Sequence, residues 1–277
     1  MAVWVLGVVA VAGAVSGVVA TVGFGFGGAG RTPVPVAVRR TDPAAPSRTP
    51  AAYRRGSVTV VGIGDSVTAG SECRCTDFVH LYAHLVTARE GIPARADDLG
   101  QPGQTSAGLR GELRQDTKFA DEVGQGDVVL ITIGANDLLP VRNAWAAEAC
   151  DLACSAPAVA QMGENIGGIV RAVAGLRAGR PTLIVVTDYW NVFADGDVAR
   201  AGLGNAYLVW SDQLTRAANT RICASATTAG ATCVDLYTPF KGDGSGDPTS
   251  LLAADGDHPD AEGHQVIATA IADTVLP

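Results

Sequence analysis

The side chains best suited to chemistry fall in four short stretches: Gly64-Asp65-Ser66, Gly100-Gln101-Pro102-Gly103, Gly134-Ala135-Asn136-Asp137 and Asp255-Gly256-Asp257-His258. Together they hold the parts of an acyl-transfer site. A serine hydroxyl attacks a carbonyl once a base takes its proton. The base needs an orienting acid, and the tetrahedral intermediate needs hydrogen-bond donors. Ser66 is the candidate nucleophile and His258 the candidate base. Asp255, three residues before the histidine, can reach its ring from the same turn, with Asp257 as the rival orienter. The Gly103 N–H, the Asn136 side-chain amide and the Ser66 N–H are the candidate oxyanion donors. Each stretch also has an ordinary reading. Gly-Asp-Ser is a common turn, and a histidine before proline is a common helix approach.

The surrounding elements decide whether the four stretches meet. Val58–Ser66 (VTVVGIGDS) is a β-branched run that ends in glycines, so it predicts a buried strand stopping at a tight turn. Further strands are expected over Ala94–Leu99, Asp127–Ile133, Thr182–Thr187 and Ala231–Leu236. Helices are expected from Thr76 (as cap) to Arg89, through Leu113, over Pro157–Arg177 and Tyr207–Ala224, and from Pro259 and Asp260 to Val275. Strands alternating with helices predict a parallel sheet covered on both faces. Ser66 then follows strand one, Gly103 strand two, Asn136 strand three and His258 strand five. Ligands of open α/β sheets bind at the carboxyl ends of the strands, so the sheet itself gathers these residues.

The 277 residues carry a formal net charge of -8, unevenly placed. Residues 1–56 hold six arginines and one acid, a surplus of five positive charges, which leaves -13 on the remainder. Such a domain has no electrostatic footprint for nucleic acid and is repelled by anionic lipid surfaces. Residues 1–30 lack any charged side chain and read as a signal peptide or a membrane anchor in the form of an N-terminal hydrophobic helix. Residues 31–56 read as an extended Pro/Arg-rich linker, and 57–277 as one catalytic domain. The arginines after the apolar run favour a cytoplasmic domain. The six cysteines favour an oxidising compartment. Export to the envelope or the medium is the expectation.

Local pairing is expected for the cysteines: Cys73 with Cys75, the most strained, then Cys150 with Cys154, and Cys223 with Cys233. A zinc site from Cys73, Cys75, Cys150 and Cys154 is the rival, although its spacings are not those of Cys-x2-Cys knuckles. His80 and His84 stand at i, i+4 with no evident third ligand, and His264 reads as structural. Asp255, Asp257 and Asp260 lack the EF-hand pattern. Tyr189, Trp190 and Phe193 follow strand four as either core packing or a substrate wall.

The four stretches, in this order and spacing, resemble the four blocks of the SGNH (GDSL-type) hydrolases over Val58–His264. The Thr187–Phe193 segment and the local cysteine pairs resemble the exported actinobacterial branch of that family. The resemblance implies a three-layer α/β/α flavodoxin-like sandwich with a five-stranded parallel sheet. It also implies ester hydrolysis through Ser66, with Gly103, Asn136 and His258 as the other named residues and Asp255 completing the triad. No cofactor or metal is implied, and a monomer acting on a lipid, glycan or small acyl ester is expected. Acyl transfer by the same acyl-enzyme is the nearest alternative, and a non-catalytic envelope binding module is the alternative from another class.

Overall fold

Five segments form strands close to their expected places: the aliphatic β1 (Val58–Gly64), β3 (Val128–Thr132) and β4 (Leu183–Thr187), the polar edge strand β2 (Ala94–Asp98) and the short β5 (Thr232–Val234). The structure, a computed structural model, describes residues 51–276 apart from Arg55 and Ala178. The hydrophobic segment 1–30 and linker residues 31–50 lie outside the described residues. The helices are α1 (Phe78–Glu90), α2 (Ser106–Gln115), α3 (Thr117–Val123), α4 (Leu139–Ala146), α5 (Ala156–Leu176), α6 (Gly196–Gly202), α7 (Gly204–Thr228), α8 (Tyr237–Lys241) and α9 (Ala261–Val275). Among the described residues no helix is long and apolar enough to cross a membrane.

The strands lie in the order β2-β1-β3-β4-β5, and every pairing is parallel. The register sets Val60 beside Val128 and Gly64 beside Thr132. This is the flavodoxin-like order, and the chain reverses direction across the sheet between β1 and β3. β1 and β3 are buried on both faces, as their continuous aliphatic sequences require. Helix α1 packs on α9, while α5 packs between α2 and α7.

Three expectations need adjustment. Asp77, not Thr76, caps α1; its carboxylate accepts from the Val79 and His80 N–H groups. Asp260, not Pro259, caps α9. Pro259 instead bridges to Leu252 in an antiparallel contact. The domain also begins before residue 57. Ala51–Arg54 forms a 3-10 turn, and Tyr53 is buried with its hydroxyl hydrogen-bonded to that of Tyr82. The end of the expected linker is therefore part of the core.

The six cysteines pair locally, Cys73–Cys75, Cys150–Cys154 and Cys223–Cys233, with Cα separations of 5.2, 5.9 and 5.2 Å. These are ordinary disulfide separations. The pairing removes the four-cysteine zinc alternative.

Candidate active site

Gly64 ends β1 at φ +135°, where a Cβ would lie 1.9 Å from the Thr132 carbonyl oxygen. Only glycine lets β1 end this close to β3. The Asp65 N–H then donates to that same carbonyl at 2.9 Å, and the chain turns to present Ser66, half-buried, at the switch point. The turn is closed by Ala69 N–H to Asp65 C=O at 3.1 Å and Ser71 N–H to Ser66 C=O at 3.0 Å.

Beneath the serine, Asp65 is 1% exposed. Its carboxylate accepts from the Val67 N–H at 3.1 Å, the Thr132 hydroxyl at 2.9 Å and the Tyr189 hydroxyl. Burial pushes its pKa up to about 6. The bonds from Tyr189, Thr132 and Val67, and the nearby His258, oppose that rise.

The loop after β2 is fastened to the serine turn. Gln101 N–H donates to Gly64 C=O at 2.9 Å, and Gly100 N–H to the Asp98 carboxylate at 2.8 Å. A Cβ on Gly100 would stand 2.4 Å from the Ala69 nitrogen, so the two loops touch backbone to backbone. Past β3, Asn136 donates one amide N–H to the Gln104 carbonyl at 3.0 Å. That bond orients the amide and leaves its second N–H free. The next residue, Asp137, accepts from the Ser106 N–H at 2.8 Å and the Ser106 hydroxyl at 2.6 Å, at the start of α2. Asn165 of α5 donates to the same hydroxyl at 3.1 Å, and Arg110 of α2 donates to Asn165 at 3.2 Å.

Before α9, the Asp255 carboxylate takes the His258 ring nitrogen Nδ1 at 2.5 Å. The other Asp255 oxygen accepts the Asp257 and His258 N–H groups at 3.0 and 3.1 Å. Burial raises the Asp255 pKa, but the bonds from the His258 ring and from these two N–H groups outweigh it, so Asp255 sits below the usual carboxylate range. Asp257 faces the pocket, where burial pushes it up to about 6. The two aspartates are thus separated: Asp255 holds the ring from behind with Nδ1, and Asp257 does not bond it. The Asp195 N–H donates to Gly256 C=O at 2.7 Å and ties this loop to the segment after β4.

Ser66, Gly103, Asn136 and His258 line one pocket of about 260 Å³. The N–H groups of Ser66 and Gly103 donate to no other described residue. Three N–H donors therefore remain for a guest in that pocket. Tyr189, Trp190 and Phe193 also line it, yet each is only 1% exposed. They belong to core and wall at once: Trp190 stacks on Phe240 at 4.3 Å, and the Tyr189 hydroxyl is committed to Asp65. Sequence reasoning missed the supporting set of Asp65, Thr132, Tyr189 and Ser106. The polar Thr132 ending an apolar run was the one local sign.

The remaining candidates lie elsewhere. His80 Nδ1 pairs with Asp77 at 2.7 Å, and His84 is exposed. His264 is buried, stacks on Phe78 and accepts its N–H at 3.2 Å; burial pushes its pKa down to about 4. Among the described residues the one grouping of three metal-ligating types is Cys73, Cys75 and His264, and its two sulfurs are joined.

A serine and a histidine–carboxylate pair share one pocket at the carboxyl edge of a doubly wound sheet, an arrangement suited to the class of α/β acyl-transfer enzymes. The chain belongs to the GDSL-like lipase/acylhydrolase family, whose model matches residues 63–266. It is a carboxylic ester hydrolase. Among solved structures, it is similar to the lipase Lip_vut3 from a goat rumen metagenome: 17% identity, TM-score 0.65, 78% of this chain and 97% of that one. It is also similar to a catalytic mutant of Axe2, an acetylxylan esterase from Geobacillus stearothermophilus: 17% identity, TM-score 0.54, 80% and 96%. At such identities these structures speak for the fold. No curated protein matches the sequence significantly.

Proposed function

We propose that this esterase works through an acyl-enzyme on Ser66. His258, held by Asp255, takes the Ser66 proton as the hydroxyl oxygen bonds to the ester carbonyl carbon. The same proton passes to the leaving alcohol as the carbon–oxygen bond breaks. Water, activated by the same ring, then releases the acid. The developing oxyanion is held by the N–H groups of Ser66 and Gly103 and by the free amide N–H of Asn136. The observation that carries this reading is that these uncommitted donors belong to residues lining the one pocket that Ser66 and His258 share.

The pocket supports a short, uncharged acyl group. Its volume falls below the range of drug-sized sites. Its wall holds Glu72 and Asp257 but no lysine or arginine, so an anionic acyl group is disfavoured there. An acetyl or similarly short ester of a glycan, lipid or small alcohol fits best. The three disulfides support action outside the cytoplasm.

The test is hydrolysis of p-nitrophenyl esters of increasing chain length by the native enzyme and by Ser66→Ala. Activity should be greatest with short chains and fall by at least about three orders of magnitude in the variant. Near-normal hydrolysis by Ser66→Ala would refute the acyl-enzyme. A preference for long chains would refute the small acyl site.

A further inference from the structure

Away from the active site, three arginines from three helices gather in one groove of about 460 Å³: Arg110 of α2, Arg171 of α5 and Arg221 of α7. The surrounding domain carries a formal charge of -13. Five described arginines, Arg89, Arg95, Arg177, Arg200 and Arg216, are matched by carboxylates within 4 Å. Among the described residues the three in the groove have no such carboxylate; Arg74, Arg114, Arg142 and Arg180 lack one too, but only in the groove do three such arginines line one cavity. Arg110 bonds only to the Asn165 amide oxygen, and Arg221 only, at 3.5 Å, to the Ala160 carbonyl. The buried Nε of Arg221 has no partner at all. Glu164 lines the groove too, but it pairs with none of them, so two positive charges remain in excess.

The three side chains lie close against glycines of α5. A Cβ at Gly163 would stand 2.3 Å from the Arg221 Nε, and one at Gly168 would stand 2.5 Å from the Arg110 Nε. At Gly167 a Cβ would come within 3.3 Å of an Arg171 terminal nitrogen. The glycines let three guanidinium groups lie against α5. Ser225 and Thr228 of α7 add hydroxyl donors along the same wall. Guanidinium groups bind tetrahedral oxyanions through paired, charge-assisted hydrogen bonds.

We propose that this groove is a binding site for phosphate-type oxyanions, separate from the ester pocket. The anion is either free phosphate or a phosphate group carried on a chain. It replaces the carboxylates that the three arginines lack, and its oxygens accept from their exposed N–H groups. The neutral ester chemistry at Ser66 does not use this charge, so the groove adds a second specificity, for an anionic ligand or for an anionic part of a large substrate.

Calorimetric titration of the full, disulfide-bonded chain tests this, with inorganic phosphate and tripolyphosphate as probes at low, fixed ionic strength. Sodium chloride of equal ionic strength is the control. Saturable binding of at least one probe is expected. Arg171→Ala should weaken it about tenfold, the scale of one lost charge-assisted bond. Arg171→Ala combined with Arg221→Ala should abolish it, with p-nitrophenyl ester hydrolysis unchanged as the control for folding. Glycerol 1-phosphate, of nearly the same charge as inorganic phosphate, separates the sources: equal or tighter binding identifies a phosphate carried on a chain, and loss of binding identifies the free anion. Failure of both probes to exceed the chloride control, or unchanged affinity in the double variant, overturns the proposal.

Discussion

Replacing Tyr189 by Phe removes one of three donors from the buried Asp65 carboxylate and leaves the ring in place. Burial already pushes Asp65 from 3.8 up to about 6, so holding it charged in the fold costs about 3 kcal/mol. A hydrogen bond to a charged group contributes about 1.5–3 kcal/mol, against about 1 for a neutral one. Without the phenol, the folded carboxyl should therefore rise by about one further pKa unit. A raised carboxyl keeps its proton in the folded state after the unfolded chain has released it. Its contribution to stability therefore falls as pH rises from about 4 through 6, and in the variant the fall continues to about 7. Tyr189→Phe should cost about 2 kcal/mol near pH 8, where Asp65 is ionised, and about 1 kcal/mol near pH 5, where it holds its proton. Urea unfolding of both proteins at the two pH values measures this. The difference between them cancels the other raised carboxylates, such as Asp98 and Asp188. Equal losses at both pH values would refute the titration of Asp65. No loss at either would refute the bond.

Two further substitutions probe the site itself. Asn136→Ala should lower kcat by about 10²–10³ with little change in KM, since its free N–H acts on the oxyanion; a pure KM effect would reassign it to ground-state binding. Asp255→Asn should lower kcat/KM at least about tenfold more than Asp257→Asn, because only Asp255 bonds the His258 ring; the reverse order would show that the wrong acid is named.

Most of the sheet was legible because β1, β3 and β4 are local runs of aliphatic residues, and the serine, glycine and asparagine stretches were legible because each follows a strand closely. β2 is polar, and Asp255–His258 lies past α8, well beyond the end of β5. The pairing of Asp255 with His258 was readable from a spacing of three. What escaped notice are contacts between residues far apart in sequence. Tyr189 and Asp65 are separated by 124 positions, and Ser106 and Asp137 by 31. No local pattern joins them; only the order of strands does. The short helices α3, α4, α6 and α8 were missed for a related reason. They span five to eight residues, too few for an apolar period to declare itself, and they are held by what they pack against. Tyr53 shows the same effect at the domain edge, where a proline- and arginine-rich stretch conceals a residue that the core retains.

The placement of His258 immediately before the last helix has a consequence for how the enzyme comes into being. Ser66 stands on the turn that ends β1, held by β3 and by the loop after β2. His258, the base in the proposed mechanism, lies almost 200 residues further along the chain, on the turn that α9 anchors. That anchoring depends on docking α9 against α1, where the His264 ring enters the core, stacks on Phe78 and accepts its N–H. Under the proposed mechanism, Ser66 would lack its base until α9 has docked on α1.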